Sequence, residues 1–187
     1  APYYTRPAQA GILAHFGALA AATALPIVLY NIPYRTGINL DLDTVQALCA
    51  HPNIVGIKES GGNMNQLMDL IEHTRLAVLS GEDHLIYTTL ALGGQGAISA
   101  AAHLLPERFV QLYAFARSGE WAKARTLARQ LRPLVQNLFS EPNPGPIKAV
   151  LAREGRIAEE LRLPMTPVSA ACCERVWTSY QALRELQ

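Results

Sequence analysis

Four short apolar runs that alternate with helical segments constrain the fold of this 187-residue chain more than any other feature. The strands of a parallel sheet are apolar throughout their length, because helices shield them from water. The predicted strands are 26–30, 54–58, 76–80 and 96–100, and the predicted helices between them are 7–23, 42–51, 64–74 and 84–92. This alternation predicts a parallel α/β fold, and both a doubly wound sheet and a barrel fit it.

The predicted strands stop before Pro106, and only helical segments follow. The predicted helices are 107–118, 120–140, 146–154 and 169–187, with proline-rich interruptions at 141–146 and 162–167. We therefore expect an α/β part over residues 1–105 and a helical part over residues 106–187.

Charge and hydrophobicity exclude several classes of protein. The chain has 16 lysines and arginines and 15 aspartates and glutamates, and the basic residues form no cluster in the sequence. We therefore expect neither a nucleic-acid-binding nor an anionic-membrane-binding surface. Half of the residues are hydrophobic, which excludes a disordered chain. The longest apolar stretch, 11–30, is broken by His15, Thr23 and Pro26 and is therefore not predicted to span a membrane.

Cysteine and histidine usage bears on compartment and on metal binding. The cysteines are Cys49, Cys172 and Cys173, an odd number that suits neither a disulfide framework nor a zinc site. The five histidines show no metal-binding spacing, so no metal site is predicted. Since the sequence also shows no export signal, we expect a cytoplasmic protein.

Lys58 is the residue that is most informative about chemistry. It ends the second predicted strand after a run of branched aliphatic residues, so its amine is expected to be partly shielded from water. Burial favours the neutral form of a lysine, which can attack a ketone and form a Schiff base. The alternative is an ordinary strand-end lysine that extends its ammonium group into solvent.

Tyr30 ends the preceding predicted strand. If the two strands are parallel neighbours, its phenol lies on the same face as the Lys58 amine, where it can exchange protons with a carbinolamine. Arg35 follows in a proline-bounded turn and can bind a carboxylate with two hydrogen bonds. Alone, the tyrosine can equally be an amphipathic packing residue and the arginine a surface residue.

Seven blocks of sequence closely resemble the dihydrodipicolinate synthase family. They are Pro2-Tyr3-Tyr4, Tyr30-Asn31-Ile32-Pro33-Tyr34-Arg35-Thr36-Gly37, Gly56-Ile57-Lys58-Glu59-Ser60, Ser80-Gly81-Glu82-Asp83, the run from Gly93 to Ser99, the segment from Glu141 to Pro146 with Lys148, and the run from Leu161 to Pro167. The blocks follow the family's order along the chain. The resemblance implies a (β/α)8 TIM barrel with a helical C-terminal extension, of which this chain would hold only the second half, strands five to eight.

The resemblance also implies an activity. Members condense pyruvate with L-aspartate 4-semialdehyde to give 4-hydroxy-tetrahydrodipicolinate, on the way to diaminopimelate and lysine. Lys58 would form the Schiff base with pyruvate, Tyr30 would relay protons, and Arg35 would bind the carboxylate of the semialdehyde. No cofactor is implied beyond this covalent intermediate.

Three further residues take roles by resemblance. Tyr4 would be lent to the proton relay of a neighbouring subunit, which implies a homo-oligomer, a dimer of dimers. Gly81 and the main-chain carbonyl of Ile98 would contact pyruvate. N-acetylneuraminate lyase and the 2-keto-3-deoxy sugar-acid aldolases share the barrel, the tyrosine and the lysine, and Arg35 favours the synthase over them.

The chain is shorter than such a barrel requires, since a (β/α)8 barrel typically needs about 250 residues. We therefore expect a fragment that lacks full activity on its own, with barrel-lining residues exposed at an open sheet. A non-catalytic fragment is the remaining alternative.

Overall fold

The computed structural model describes residues 1–185 and divides into two compact units. The first unit is Ala1–Ile98, and the second begins at Ser99. The domain boundary predicted after residue 105 remains a prediction.

The first unit alternates strands with helices. Its elements are α1 (Gln9–Ala21), β1 (Ile27–Asn31), α2 (Pro33–Thr36), α3 (Leu42–Leu48), β2 (Ile54–Glu59), α4 (Met64–His73), β3 (Ala77–Ser80), a 3₁₀ turn (Asp83–Leu85), α5 (Ile86–Ala91) and β4 (Gly96–Ala97). Local chemistry fixes several helix ends. The Asn63 side chain, for example, accepts hydrogen bonds from the backbone of Asn65 and Gln66 and so caps α4.

The four strands form one sheet in the order β1-β2-β3-β4, and every neighbouring pair is parallel. One face of this sheet packs against helices and forms the core of the unit. The buried core residues are Ile12, Phe16, Ala20, Leu29, Leu40, Val45, Leu48, Ile54, Ile57, Leu67, Leu70, Leu76 and Val78. The alternation along β1 therefore directs Leu29 and Asn31 towards the helices.

The opposite face of the sheet is largely open to solvent in the part of the chain that the structure describes. Val28 is 46% exposed and Tyr30 is 39% exposed, although both lie within β1. Lys58, in register with Tyr30, is half-buried on the same face. Apolar strand residues normally face a packed layer, so this face has the character of an uncovered interior.

The second unit is helical. After a 3₁₀ turn (Ala101–His103) it contains α6 (Pro106–Arg117), α7 (Trp121–Leu138), α8 (Gly145–Arg153) and α9 (Ala170–Glu185). Helix α7 packs against α6, α8 and α9, and its buried residues follow the helical repeat along one side: Ala124, Leu127, Leu131, Leu134, Val135 and Leu138. In residues 1–185, no helix has both the length and the apolar character that crossing a membrane requires.

Side chains also join distant segments of this second unit. The Glu141 carboxylate accepts hydrogen bonds from the backbone N–H and the hydroxyl of Ser169, which precedes α9. The Tyr180 hydroxyl donates to Glu154 over 2.5 Å, and Arg184 contacts the same carboxylate at 3.1 Å. Burial, and next the hydrogen bond to Glu154, raise the pKa of Tyr180 to about 12.

The element order agrees with the sequence prediction, and the differences lie at the ends. β1 and β2 each extend one residue further than predicted, to Asn31 and Glu59. β4 is shorter than predicted, because the chain turns into the 3₁₀ segment soon after Ile98. The four-residue helix α2 was not predicted.

Candidate active site

Tyr30 and Lys58 lie side by side at the carboxyl ends of β1 and β2. They are register partners in the parallel ladder, so their side chains leave the sheet on the same face. The Lys58 Nζ lies 4.2 Å from the centroid of the Tyr30 ring. This distance is that of a cation–π contact, which holds the amine against the aromatic face.

This arrangement combines two groups that act on a carbonyl substrate. The amine is half-buried and the phenol is partly exposed, so a small molecule can reach both from the open face of the sheet. A lysine amine can add to a ketone, and a nearby phenol can supply or remove the protons that the addition requires. The pair therefore places an amine and a phenol where one small molecule can contact both.

Gly81 makes room for the lysine. Its N–H donates to the carbonyl of Glu59 over 2.7 Å and so continues the ladder beyond β3. A Cβ at this position would lie 2.9 Å from the Lys58 Cε and would overlap the Ser60 hydroxyl. Only glycine fits here without displacing a neighbour, so Gly81 forms the wall of the site next to Lys58.

Arg35 and Ile98 follow the two edge strands of the sheet, β1 and β4. The Ile98 N–H donates to the Ser80 carbonyl over 2.9 Å, which fixes the chain just after β4. Arg35 lies in the last turn of α2, on the loop that follows β1, and its side chain is exposed. The guanidinium carbon lies 5.7 Å from the centroid of the Tyr34 ring.

Tyr4 lies away from regular structure, in the segment that precedes α1. It is 89% exposed and has a positive φ of 76°, a region that is sparsely populated for aromatic residues. The structure gives it no role in the Tyr30–Lys58 site of its own chain, and its contribution to a neighbouring subunit stays a prediction.

Two carboxylates near Lys58 did not enter the predicted site. Glu82, just after Gly81, is half-buried; burial raises its pKa, while the positive charges of His84 and Lys58 oppose this shift. Glu59 lies directly after the predicted strand 54–58, and the structure places it within β2.

Glu59 belongs to a buried polar network on the helix-facing side of the sheet. Its carboxylate accepts hydrogen bonds from the Asn31 side chain at 2.9 and 3.2 Å and from the Gly61 N–H at 2.5 Å. Burial is the main cause of the raised pKa of Glu59, and these hydrogen bonds oppose it. The signal that could have revealed the network is the pattern of alternation, because a polar residue next to Tyr30 or Lys58 in a strand must face the helices.

The described residues contain no group of three or more histidine, cysteine, aspartate or glutamate side chains that could hold a metal ion. The three cysteines are free.

Comparison with known proteins identifies the fold and the family. The fold is of the α/β TIM-barrel type, and the structure of the 4-hydroxy-tetrahydrodipicolinate synthase from Methylacidiphilum fumariolicum SolV matches 99% of this chain with a TM-score of 0.96 and 41% identity. The dihydrodipicolinate synthase from Thermotoga maritima matches 97% of the chain with a TM-score of 0.94 and 37% identity. The chain belongs to the dihydrodipicolinate synthetase family, whose model matches residues 1–182.

Curated relatives carry the name of one enzyme. The 4-hydroxy-tetrahydrodipicolinate synthase of Acidobacterium capsulatum is 48% identical over 178 residues, which are 94% of this chain and 59% of that protein. The enzyme of the same name from Methanocaldococcus jannaschii is 44% identical over 90% of this chain and 58% of its own length. The chain therefore spans about three fifths of the length of the relatives that it matches.

Proposed function

We propose that this chain contributes the Schiff-base half of a 4-hydroxy-tetrahydrodipicolinate synthase, a lyase of lysine and diaminopimelate biosynthesis. The observation that carries the proposal is the Lys58 amine 4.2 Å from the Tyr30 ring, on neighbouring parallel strands. Membership of the family and the names of the relatives support the choice of reaction.

The proposed chemistry starts with the Lys58 amine. It adds to the ketone carbon of pyruvate, and the carbinolamine then loses water to give an imine. Loss of a methyl proton converts the imine into an enamine, whose carbon forms a bond with the aldehyde carbon of L-aspartate 4-semialdehyde. Tyr30 supplies and removes the protons of imine formation, since its ring already contacts the amine. No cofactor takes part in this scheme.

The other predicted residues take supporting roles. Arg35 binds the carboxylate of the semialdehyde, because its exposed guanidinium lies on the loop that leaves the Tyr30 strand. The wall at Gly81 and the carbonyl of Ile98 contact pyruvate. The high exposure of Tyr4 suits a residue that acts in a neighbouring subunit of a homo-oligomer, as in the proposed dimer of dimers.

We also propose that the four strands are the fifth to eighth of a (β/α)8 barrel. Two observations support this assignment: the match to about three fifths of each relative, and the open sheet face with its exposed Val28. The remaining strands would cover this face and complete the proton relay. The isolated chain would accordingly have less than full activity. A cytoplasmic location agrees with three free cysteines and stays a prediction.

Reductive trapping tests the proposal directly. Incubation with pyruvate and borohydride should add the mass of one reduced pyruvate imine, and peptide mapping should locate it at Lys58. The other primary amines of the chain are Lys123, Lys148 and the amino terminus, and peptide mapping separates all three from Lys58. The variant Lys58→Ala should lose the adduct, whereas the exposed surface variant Lys123→Ala should keep it. An unmodified chain would instead support a non-catalytic fragment.

The second substrate separates the synthase from its relatives with the same lysine chemistry. Once trapped pyruvate is observed, the chain is supplied with L-aspartate 4-semialdehyde, N-acetylmannosamine or a sugar-acid aldehyde before reduction. Consumption of the enamine only by the semialdehyde supports the synthase. Consumption by the sugar aldehydes would assign the chain to the N-acetylneuraminate lyases or to the 2-keto-3-deoxy sugar-acid aldolases.

A further inference from the structure

We propose that the buried Glu59 carboxylate is a positioning residue that holds the Tyr30 ring against the Lys58 amine. The inference deepens the proposed function and rests on it, because it assigns a task to a residue that lies outside the reacting groups. The inference rests on the alternation of side chains between the two faces of the neighbouring strands β1 and β2.

The alternation places two residue pairs back to back. Tyr30 and Lys58 are register partners on the open face, and Asn31 and Glu59 are register partners on the helix-facing side. Each member of the buried pair is therefore bonded directly, through the backbone, to a member of the reactive pair. Any shift of β1 against β2 moves both pairs together.

Side-chain hydrogen bonds lock the buried pair. The Asn31 amide donates to both oxygens of Glu59, and the Gly61 N–H donates to one of them. The backbone adds a second cross-strand link there, because the Ser60 N–H donates to the Asn31 carbonyl over 2.8 Å. The ends of β1 and β2 are thus joined by both main chain and side chain, where the reactive residues lie.

The same network reaches the loop that carries Arg35. The Leu40 N–H donates to the Asn31 side-chain oxygen over 3.0 Å, and the Asn31 amide also donates to Asn39 over 2.8 Å. Asn39 in turn donates to Gln66 of α4 over 2.7 Å. The far end of the loop is therefore tied back to β1, which limits where the loop can hold its arginine.

A requirement for stability alone does not explain a carboxylate at this position. Glu59 is only 5% exposed, and the hydrogen-bond donors that reach it within residues 1–185 are the neutral groups of Asn31, Gly61 and Gln66. Its charged neighbour Glu82 has the same sign. Burying a carboxylate without a cation is costly, and an apolar pair would pack at lower cost. What a carboxylate adds is two acceptors in a fixed geometry, which orient the strand ends.

The Tyr30–Lys58 contact can be measured without any substrate. Reductive ¹³C-methylation labels the three lysines and the amino terminus, and the Lys58 methyl signal is assigned by its loss in Lys58→Ala. Methyl groups above an aromatic ring resonate upfield, so the Lys58 signal should be shifted upfield in the native chain. The variant Tyr30→Leu should bring it back to the position of a free lysine.

Glu59→Gln is the decisive variant, since it keeps the shape of the side chain and places an amide opposite the Asn31 amide. We expect the Lys58 signal to lose its upfield shift and the rate of pyruvate trapping to fall by roughly 10- to 100-fold, the range expected for a misplaced reacting group. A Lys58 signal that keeps its shift in a folded Glu59→Gln protein would overturn the proposal, as would the absence of the shift in the native chain.

A second variant and its control cover the case in which Glu59→Gln fails to fold. Asn31→Ala removes the donor from the opposite strand and should have the same effect on the Lys58 signal. The matched control is Asn53→Ala, which removes side-chain hydrogen bonds of 3.0 and 2.9 Å to Ala20 and Thr23 at the other end of the strands. Asn53→Ala should be less stable than the native chain but should keep the upfield shift of the Lys58 methyl signal. Equal loss of this shift in Asn31→Ala and Asn53→Ala would refute the positioning role. If the native chain traps no pyruvate, the proposed function fails, while the methyl signals still decide whether Glu59 positions the pair.

Discussion

Substitution of Gly81 by alanine tests the description of the site more sharply than removal of any reactive group. The added methyl group would lie 2.9 Å from the Lys58 Cε and 3.0 Å from the Glu59 carbonyl oxygen, and it would overlap the Ser60 hydroxyl. The hydroxyl of Ser60 has no hydrogen-bond partner in the described structure and can rotate away. The carbonyl cannot, because it accepts the hydrogen bond from Gly81 itself. The lysine side chain must therefore move.

The expected cost follows from two opposing effects. Overpacking a well-filled site costs about 1–3 kcal/mol, whereas replacing glycine by alanine stabilises a protein by about 0.4–1 kcal/mol through the unfolded chain. The steric effect dominates, because one of the three close contacts is with fixed backbone. We expect a net loss of about 1–2 kcal/mol in the free energy of unfolding and a fall in the rate of pyruvate trapping of at least about tenfold.

Urea unfolding and time-resolved borohydride trapping measure the two effects on the same protein. The matched control is Gly17→Ala in α1, where the new methyl group would meet His51 at an ordinary contact distance of 3.4 Å. In a helix interior this change should be neutral or stabilising by up to about 1 kcal/mol, with no effect on trapping. A Gly81→Ala protein with unchanged stability and unchanged trapping would refute the account of the wall beside Lys58.

Three further predictions follow from the hydroxyl of Tyr30 and from two raised pKa values. Tyr30→Phe keeps the aromatic ring next to the Lys58 amine but removes the hydroxyl that donates protons. Imine formation, measured by trapping kinetics, should therefore slow by roughly 10²- to 10⁴-fold. An unchanged rate would assign the proton transfer to another group. Because burial raises the pKa of Glu59 above 4.5, the folded chain holds this proton more tightly than the unfolded chain, so stability should fall as pH rises above 4.5. Urea midpoints measured over a pH series should show a smaller fall for Glu59→Gln, and identical profiles would contradict the burial of the charge. Similarly, since burial and Glu154 raise the pKa of Tyr180 from 10.0 to about 12, stability should fall as pH rises through that interval. The Tyr180→Phe protein should not lose stability over this pH interval. The same loss of stability in the variant would show that another group causes it.

The strands were predictable because their residues are mostly apolar, which is typical of a parallel sheet. The helix α2 was not, because four residues are too few to show a helical period. The end of β4 was misplaced since Ile98 continues the apolar run, although the chain already turns after it. Such ends depend on tertiary hydrogen bonds, such as the one from Ile98 to Ser80, that a sequence pattern does not contain.

The reactive pair and the buried pair differ in how visible they are in the sequence. Tyr30 and Lys58 hold equivalent positions in successive strands, and parallel pairing is enough to predict that they lie together. Asn31 and Glu59 lie directly after the predicted strands 26–30 and 54–58, so the sequence pattern left both outside the sheet. Only the knowledge that each strand continues by one residue makes them buried partners, and that extension is a property of the assembled sheet.

The sheet has a physical consequence beyond catalysis. Within residues 1–185, β1 and β4 each have a strand neighbour on one side only. An edge strand with unpaired backbone groups can pair with a strand of another molecule, and an exposed apolar face next to it favours aggregation. We therefore expect solutions of this polypeptide to become turbid as concentration rises, and added chaperones to delay that change.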